Sequence, residues 1–134
     1  MLNVKKLLTK ILNGFGVIRS SGSVSVTAAT TYTIATINLP AYGEYFVFGD
    51  ASDGIATTHT CYVNVAITSG TPSVQAGVGS MRNNINNGGT ASTWKYIKTG
   101  SAACTVQLRT YGYYTTGNTT AGNIIAIKLG GGTA

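Results

Sequence analysis

From Val17 to the end of the chain, apolar residues return at every second position in short runs cut by Gly, Pro and Asn. The clearest run sets Cys61, Val63, Val65 and Ile67 against Thr60, Tyr62, Asn64 and Ala66. A period of two belongs to a strand with one face on a core, because successive side chains leave a strand on opposite sides. The pattern predicts eight strands: Ser23 to Ala28, Thr31 to Leu39, Glu44 to Phe48, Thr60 to Thr68, Ser73 to Gly79, Thr93 to Lys98, Ala102 to Tyr111 and Asn123 to Leu129. The last of these, with Ile124, Ile125, Ala126, Ile127 and Leu129, is apolar almost throughout. It should be a central strand, or one of its faces should meet another subunit. Short strands in this number, with turns between them, point to an antiparallel β-sandwich, most simply a jelly roll, with an immunoglobulin-like sandwich as the alternative. Met81 to Ser92, containing NNINNGGTAS, reads as an exposed loop at one end.

The first residues keep a different period. Met1, Val4, Leu8, Ile11 and Phe15 are spaced three, four, three and four, the repeat of a coiled-coil seam. Leu7 and Leu12 widen the stripe, and Lys5, Lys6, Thr9 and Lys10 occupy the other face. Asn3 can cap such a helix and Asn13 with Gly14 can stop it. A helix from Asn3 to Asn13 is about 16 Å long at ~1.5 Å per residue. Helices of that length are marginal alone in water, so this one needs its own body or copies of itself. The expected division is an amphipathic, coiled-coil helix over 1–16 and a sandwich over 17–134. Val4, Leu8, Ile11 and Phe15 are the expected oligomerisation residues, and Tyr45 to Phe48 or the final Ile run supply a second contact between sandwiches.

Only 9% of the 134 residues are charged against 43% hydrophobic, so Ser, Thr and Asn must cover the surface. The net charge of +6 reflects a shortage of acids, Glu44, Asp50 and Asp53, as much as an excess of bases. Arg19, Arg82, Lys95, Lys98, Arg109 and Lys128 are scattered singly, which is no nucleic-acid stripe. Lys10 interrupts the apolar opening and no small-residue cleavage site follows, so neither a signal peptide nor a spanning helix is expected. A short basic amphipathic helix also suits an anionic membrane surface, and that alternative stands beside the coiled coil. Cys61 and Cys104 both fall on apolar faces, as free buried thiols or as a disulfide across the two sheets.

A short heptad helix leading into a compact sandwich is the plan of a fibre head, in which helices bundle and sandwiches pack about one axis. The start LNVKKLLTKILNGF, the run TYTIATINLPAYGEYFVFGDASDG and the ending AGNIIAIKLGG resemble small phage and prophage tail-fibre or virion proteins of gut Firmicutes. Their body is similar to the trimeric jelly-roll heads of the TNF and C1q kind. The resemblance implies a homotrimeric virion protein, assembled in the bacterial cytoplasm and acting outside the cell. It implies contacts with other virion proteins and with a host-surface polysaccharide. A secreted or surface-displayed TNF/C1q-like binding module is the alternative, and it would require export.

Little chemistry is on offer. His59 is the only histidine and reads as a loop residue ahead of a strand. Asp50 and Asp53 in GDASDG are too exposed in such a turn to act as the acid and base of a glycosidase. With Ser52 they make at most a poor calcium loop. No enzyme activity, metal or cofactor is expected. The aromatic segment YGYYTTGN is richer. Tyr113, Tyr114 and Asn118, with Arg82, Asn83 and Trp94, form a candidate glycan site if the two loops share an end. The same rings also suit packing across a sheet or a subunit contact.

Overall fold

The computed structural model describes residues 3–4, 16–53, 59–78, 80–85, 89–112 and 118–131. Its regular elements are nine strands: β1 (Val17–Val26), β2 (Thr31–Leu39), β3 (Gly43–Asp53), β4 (His59–Ser69), β5 (Val74–Ala76), β6 (Ser80–Ile85), β7 (Gly89–Lys98), β8 (Cys104–Tyr111) and β9 (Asn118–Gly131). They form two antiparallel sheets, one ordered β1-β9-β3-β7-β5 and the other β2-β8-β4-β6. The first strand pairs with the last, the second with the eighth, the third with the seventh and the fourth with the sixth. A long hairpin rolled over on itself gives this nesting, so the expected β-sandwich is present with a jelly-roll-like arrangement.

Alternation decides which residues fill the space between the sheets. Tyr45, Val47, Ala51, Ala91, Ile97, Ile124 and Ala126 face inward from the five-stranded sheet. Ile34, Ala35, Ile37, Leu39, Val63, Val65, Cys104, Val106 and Leu108 meet them from the other. Ile34 and Ala35 are both buried although adjacent, because β2 shifts register between Thr33 and Ala35 and gives up one pairing to Ile34. Small residues set the separation at one end. Gly22, Gly122, Ala51 and Ala91 stand opposite one another across four strands. A Cβ on Gly122 would run into the Asp50 carbonyl oxygen, so no larger residue fits there.

The turn from β2 into β3 is tied to the start of the β7–β8 connection by a buried hydroxyl. Thr99 Oγ1 donates to the Pro40 carbonyl at 2.7 Å and accepts from the Gly43 N–H at 2.9 Å. Thr99 N–H donates back to the Gly43 carbonyl at 2.9 Å, and the Tyr45 hydroxyl reaches the Pro40 carbonyl at 3.3 Å. Tyr42 within this turn has φ of 58°, a left-handed conformation held while its N–H bonds the Gly100 carbonyl at 2.9 Å.

Several expectations need correction. The stretch Met81 to Ser92 is not a single loop: β6 covers Ser80–Ile85, and β7 begins at Gly89. SMRNNI lacks an apolar alternation, but its backbone pairs with β4 from His59↔Ile85 to Asn64↔Ser80. The first strand starts at Val17 rather than Ser23, and the strand expected from Ser73 to Gly79 shortens to Val74–Ala76. His59 opens β4 rather than preceding it. Of the helix expected over Asn3 to Asn13, only Asn3 and Val4 are described, and Leu8, Ile11 and Phe15 lie outside the described residues.

Candidate functional site

The outer face of the five-stranded sheet concentrates the large apolar side chains that the core does not use. Register aligns Val17, Ile127, Phe46, Tyr96 and Ala76 in one row across all five strands. Arg19, Ile125, Phe48 and Trp94 form the next row. Phe46 stacks on Trp94 with ring centroids 5.1 Å apart and planes 11° from parallel, and it meets Phe48 at 4.5 Å and 44°. Such offset and tilted pairs suit the ring quadrupoles and fix the rotamers of the group. Phe48 nevertheless remains 46% exposed and Trp94 38% exposed. Val17, Val74, Ile127 and Leu129 are exposed around them. Gly77, at φ of 112°, lets the chain pass the Trp94 ring, since a Cβ there would fall 2.8 Å from it.

Polar groups border this patch on two sides. On one, Ser21, Asn123, Asp50 and Ser92 make a cross-strand row. The carboxylate of Asp50 accepts from both the N–H and the Nδ2 of Asn123 at 3.2 Å. On the other, Lys98 Nζ lies 3.8 Å from Glu44 Oε1, an exposed pair worth little by itself. Desolvation, and then the neighbouring Glu44 carboxylate, push the Tyr96 phenol above its ordinary pKa.

The four-stranded sheet turns a different surface outward. Its outward-facing rows are Thr33, Arg109 and Asn64, then Thr36, Gln107 and Ala66, then Asn38, Thr105 and Ser69, exposed at Thr33, Thr36, Asn38 and Ser69 and half-buried at the rest. Gln107 Oε1 accepts from Thr33 Oγ1 at 3.2 Å and from Arg109 Nε at 2.9 Å. Thr105 Oγ1 donates to Asn38 Oδ1 at 2.9 Å and accepts from Ser69 Oγ at 2.9 Å. The Tyr111 hydroxyl donates to the Ala29 carbonyl at 3.2 Å.

Against this geometry the expected site residues separate. Trp94 belongs to the apolar patch of one sheet, whereas Arg82 and Asn83 lie on β6 of the other. Asn118 begins β9 opposite Val26, and Tyr113 and Tyr114 lie outside the described residues. Tyr45 and Val47 are buried, so of the run expected to meet another subunit only Phe46 and Phe48 face outward. The final Ile run splits likewise: Ile124 and Ala126 point into the core, and Ile125 and Ile127 point out. Asp50 and Asp53 sit in β3 rather than in a turn. Three residues apart on a strand, they leave on opposite faces and do not converge on one ion or one sugar. Cys61 and Cys104 lie in the same sheet rather than across two. Since Thr105 pairs with Ser69, Cys61 lies eight residues of β4 from the level of Thr105, the neighbour of Cys104, roughly 26 Å at about 3.3 Å per residue. Cys104 is a free, buried thiol.

No family model and no curated protein matches the sequence. Among solved structures, a family two carbohydrate esterase from Cellvibrio japonicus is similar with a TM-score of 0.29 at 6% identity, over 87% of this chain and 36% of that one. The infectious bursal disease virus Gx strain structure is similar with a TM-score of 0.29 at 13% identity, over 87% of this chain and 41% of that one. The chain thus spans well under half the length of either.

Proposed function

We propose that this chain is the head of a virion fibre, a sandwich of TNF/C1q-like plan that associates with two further copies of itself and has no catalytic role. The observation that carries this reading is the apolar outer face of the five-stranded sheet. With about 200 Å² for a fully exposed aromatic, Phe48 and Trp94 alone present on the order of 170 Å² to solvent. Exposed Val17, Val74, Ile127 and Leu129 extend the patch to the scale of functional surface patches, roughly 300–600 Å². A stable contact takes about 800 Å² from each partner, with an apolar, aromatic centre and a polar rim. The patch has the centre, and the Asp50–Asn123 row and the Glu44–Lys98 pair supply the rim.

The route of the chain supports copies of itself as the occupant. Residues 1–15 enter this same sheet through β1, where the Gly16 carbonyl accepts from the Lys128 N–H at 2.9 Å. Copies gathered by the seam of Val4, Leu8, Ile11 and Phe15 therefore bring these sheets together. The same segment is the place for contact with other virion proteins.

Light scattering on a sizing column tests the reading. The expected mass at micromolar concentration is three times 13.8 kDa. Phe48→Asp should give a monomer with an unchanged strand signal, because a carboxylate at the centre of the patch would be desolvated without a partner. A monomeric parent chain, or a trimer indifferent to Phe48→Asp, refutes assembly through this face.

A further inference from the structure

All three carboxylates of the chain, Glu44, Asp50 and Asp53, fall on β3. Alternation turns Asp53 to the core side with Ala51 and leaves Glu44 and Asp50 on the outer face of the five-stranded sheet. Of the bases in this sheet, Lys95 and Lys128 hold core-side positions opposite Val47 and Tyr45, so Arg19 and Lys98 are the outward ones. Lys98 already lies beside Glu44. Arg19 and Asp50 are left over. Arg19 is exposed and makes no hydrogen bond or ion pair among the described residues. Asp50 is half-buried, and both bonds from Asn123 go to its Oδ1, so its Oδ2 has no partner among the described residues.

We infer that in the assembled head Arg19 of one copy pairs with Asp50 of the next, so that each copy gives a cation to one neighbour and a carboxylate to the other. The inference deepens the fibre-head reading and rests on it. Arg19 stands at the end of the row that contains Phe48 and Trp94, and Asp50 stands one row on. Two strand spacings and two residues of rise put their Cα atoms about 12 Å apart, with β9 between them. Within one chain the Arg19 side chain would have to lie stretched across β9 to reach Asp50. Any contact that covers the aromatic rows takes both charges out of water, and a charge buried without a partner is strongly unfavourable.

A neighbouring copy supplies what the chain itself does not. β1 is an edge strand of this sheet and the one that residues 1–15 enter, so copies gathered by those residues meet near β1. The edge of one copy resting on the aromatic rows of the next brings a guanidinium to a carboxylate whose orientation Asn123 has already fixed, which reduces the ordering lost on association. The same guanidinium suits the exposed Trp94 ring nearby. Such a contact joins two different surfaces, and three of them close a ring about a three-fold axis. The pair then sets the register and sense of packing that a purely apolar patch leaves open.

The test is the mass of the full chain by light scattering on a sizing column, with far-ultraviolet circular dichroism on every variant. At micromolar concentration Arg19→Glu and Asp50→Arg should each fall from three times 13.8 kDa to 13.8 kDa, because each sets like charges against one another at every contact. The double variant should return to the trimer mass, since every contact again joins opposite charges. An equal mixture of the two single variants should stay short of it. In any ring of three such copies, at least one contact joins two of the same kind and like charges face each other. Asp50→Asn keeps an acceptor for Asn123 and removes only the charge, so it reports even if Asp50→Arg does not fold. It should weaken assembly about tenfold or more, as loss of a hydrogen bond between charged groups does. A trimeric parent indifferent to Arg19→Glu or to Asp50→Asn overturns the inference and leaves the assembly reading standing. So does a folded double variant that remains monomeric, or a mixture that trimerises as fully as the double variant. A monomeric parent refutes the assembly reading and this inference with it.

Discussion

Replacing Thr99 by Val keeps the shape of the side chain and removes the hydroxyl that ties the β2–β3 turn to the β7–β8 connection. The Gly43 N–H, buried and donating to Thr99 Oγ1 at 2.9 Å, would lose its acceptor, a loss of about 1–3 kcal/mol. The bond to the Pro40 carbonyl at 2.7 Å would also go, at a net ~1 kcal/mol, softened because the Tyr45 hydroxyl still reaches that oxygen. The added methyl returns at most about 0.8 kcal/mol. The balance is a destabilisation of about 2–3 kcal/mol. With a urea slope near ~2 kcal/mol per molar, the midpoint should fall by roughly 1 M with the slope unchanged. Thr99→Ser separates the hydroxyl from packing: it keeps both bonds and should lose only about 1 kcal/mol. Unfolding would be followed by far-ultraviolet circular dichroism at one fixed protein concentration, so that assembly does not shift the midpoint. If Thr99→Val matched the parent, or if Thr99→Ser lost as much as Thr99→Val, the hydroxyl would not be what holds this turn.

Thr93 presents the opposite case, since its Oγ1 is buried with no hydrogen-bond partner among the described residues. Thr93→Val should raise stability by about 1 kcal/mol in the same urea assay. Alkaline pH should weaken the fold through Cys104 and Tyr45, whose pKa values burial raises. Unfolded, a thiol titrates near ~8.5 and a phenol near ~10, so the unfolded chain releases these protons first. The stabilisation is complete below pH ~8.5 and is lost as pH rises through the folded values. Melting temperature measured from pH 6 to 11 should therefore decline above about 8.5, and Cys104→Ala, itself less stable, should move the onset toward ~10.

The sandwich was legible because β4 and β8 alternate strictly, and a face with Val63, Val65, Val106 and Leu108 can only be buried against another face. Within Tyr45 to Phe48 the same alternation divides the run into two pairs. Which pair turns inward depends on the neighbours β7 and β9, and that pairing is not local. β6 escaped notice because its place comes from backbone bonds to β4 rather than from an apolar pattern in SMRNNI. The glycan set failed as a set for a topological reason: Trp94 and Arg82 are twelve positions apart, yet the rolled hairpin assigns them to different sheets. A local alternation also cannot say whether two cysteine-bearing strands share a sheet, and here they do. The segregation of acids was available from the start, since Glu44, Asp50 and Asp53 lie within one short segment.

The position of β9 between β1 and β3 bears on how the chain can be made. Until residues 118–131 leave the ribosome, the larger sheet lacks an inner strand, and the two strands destined to flank it present open edges. The partner of β1 is then still missing, with most of the sequence between them. Closure of such distant pairings is slow, and exposed edges invite pairing with neighbouring chains. Until β9 has emerged the chain should therefore stay unfolded or half-zipped, and the larger sheet completes only from that point on. Many copies made together at one site would meet while those edges are open.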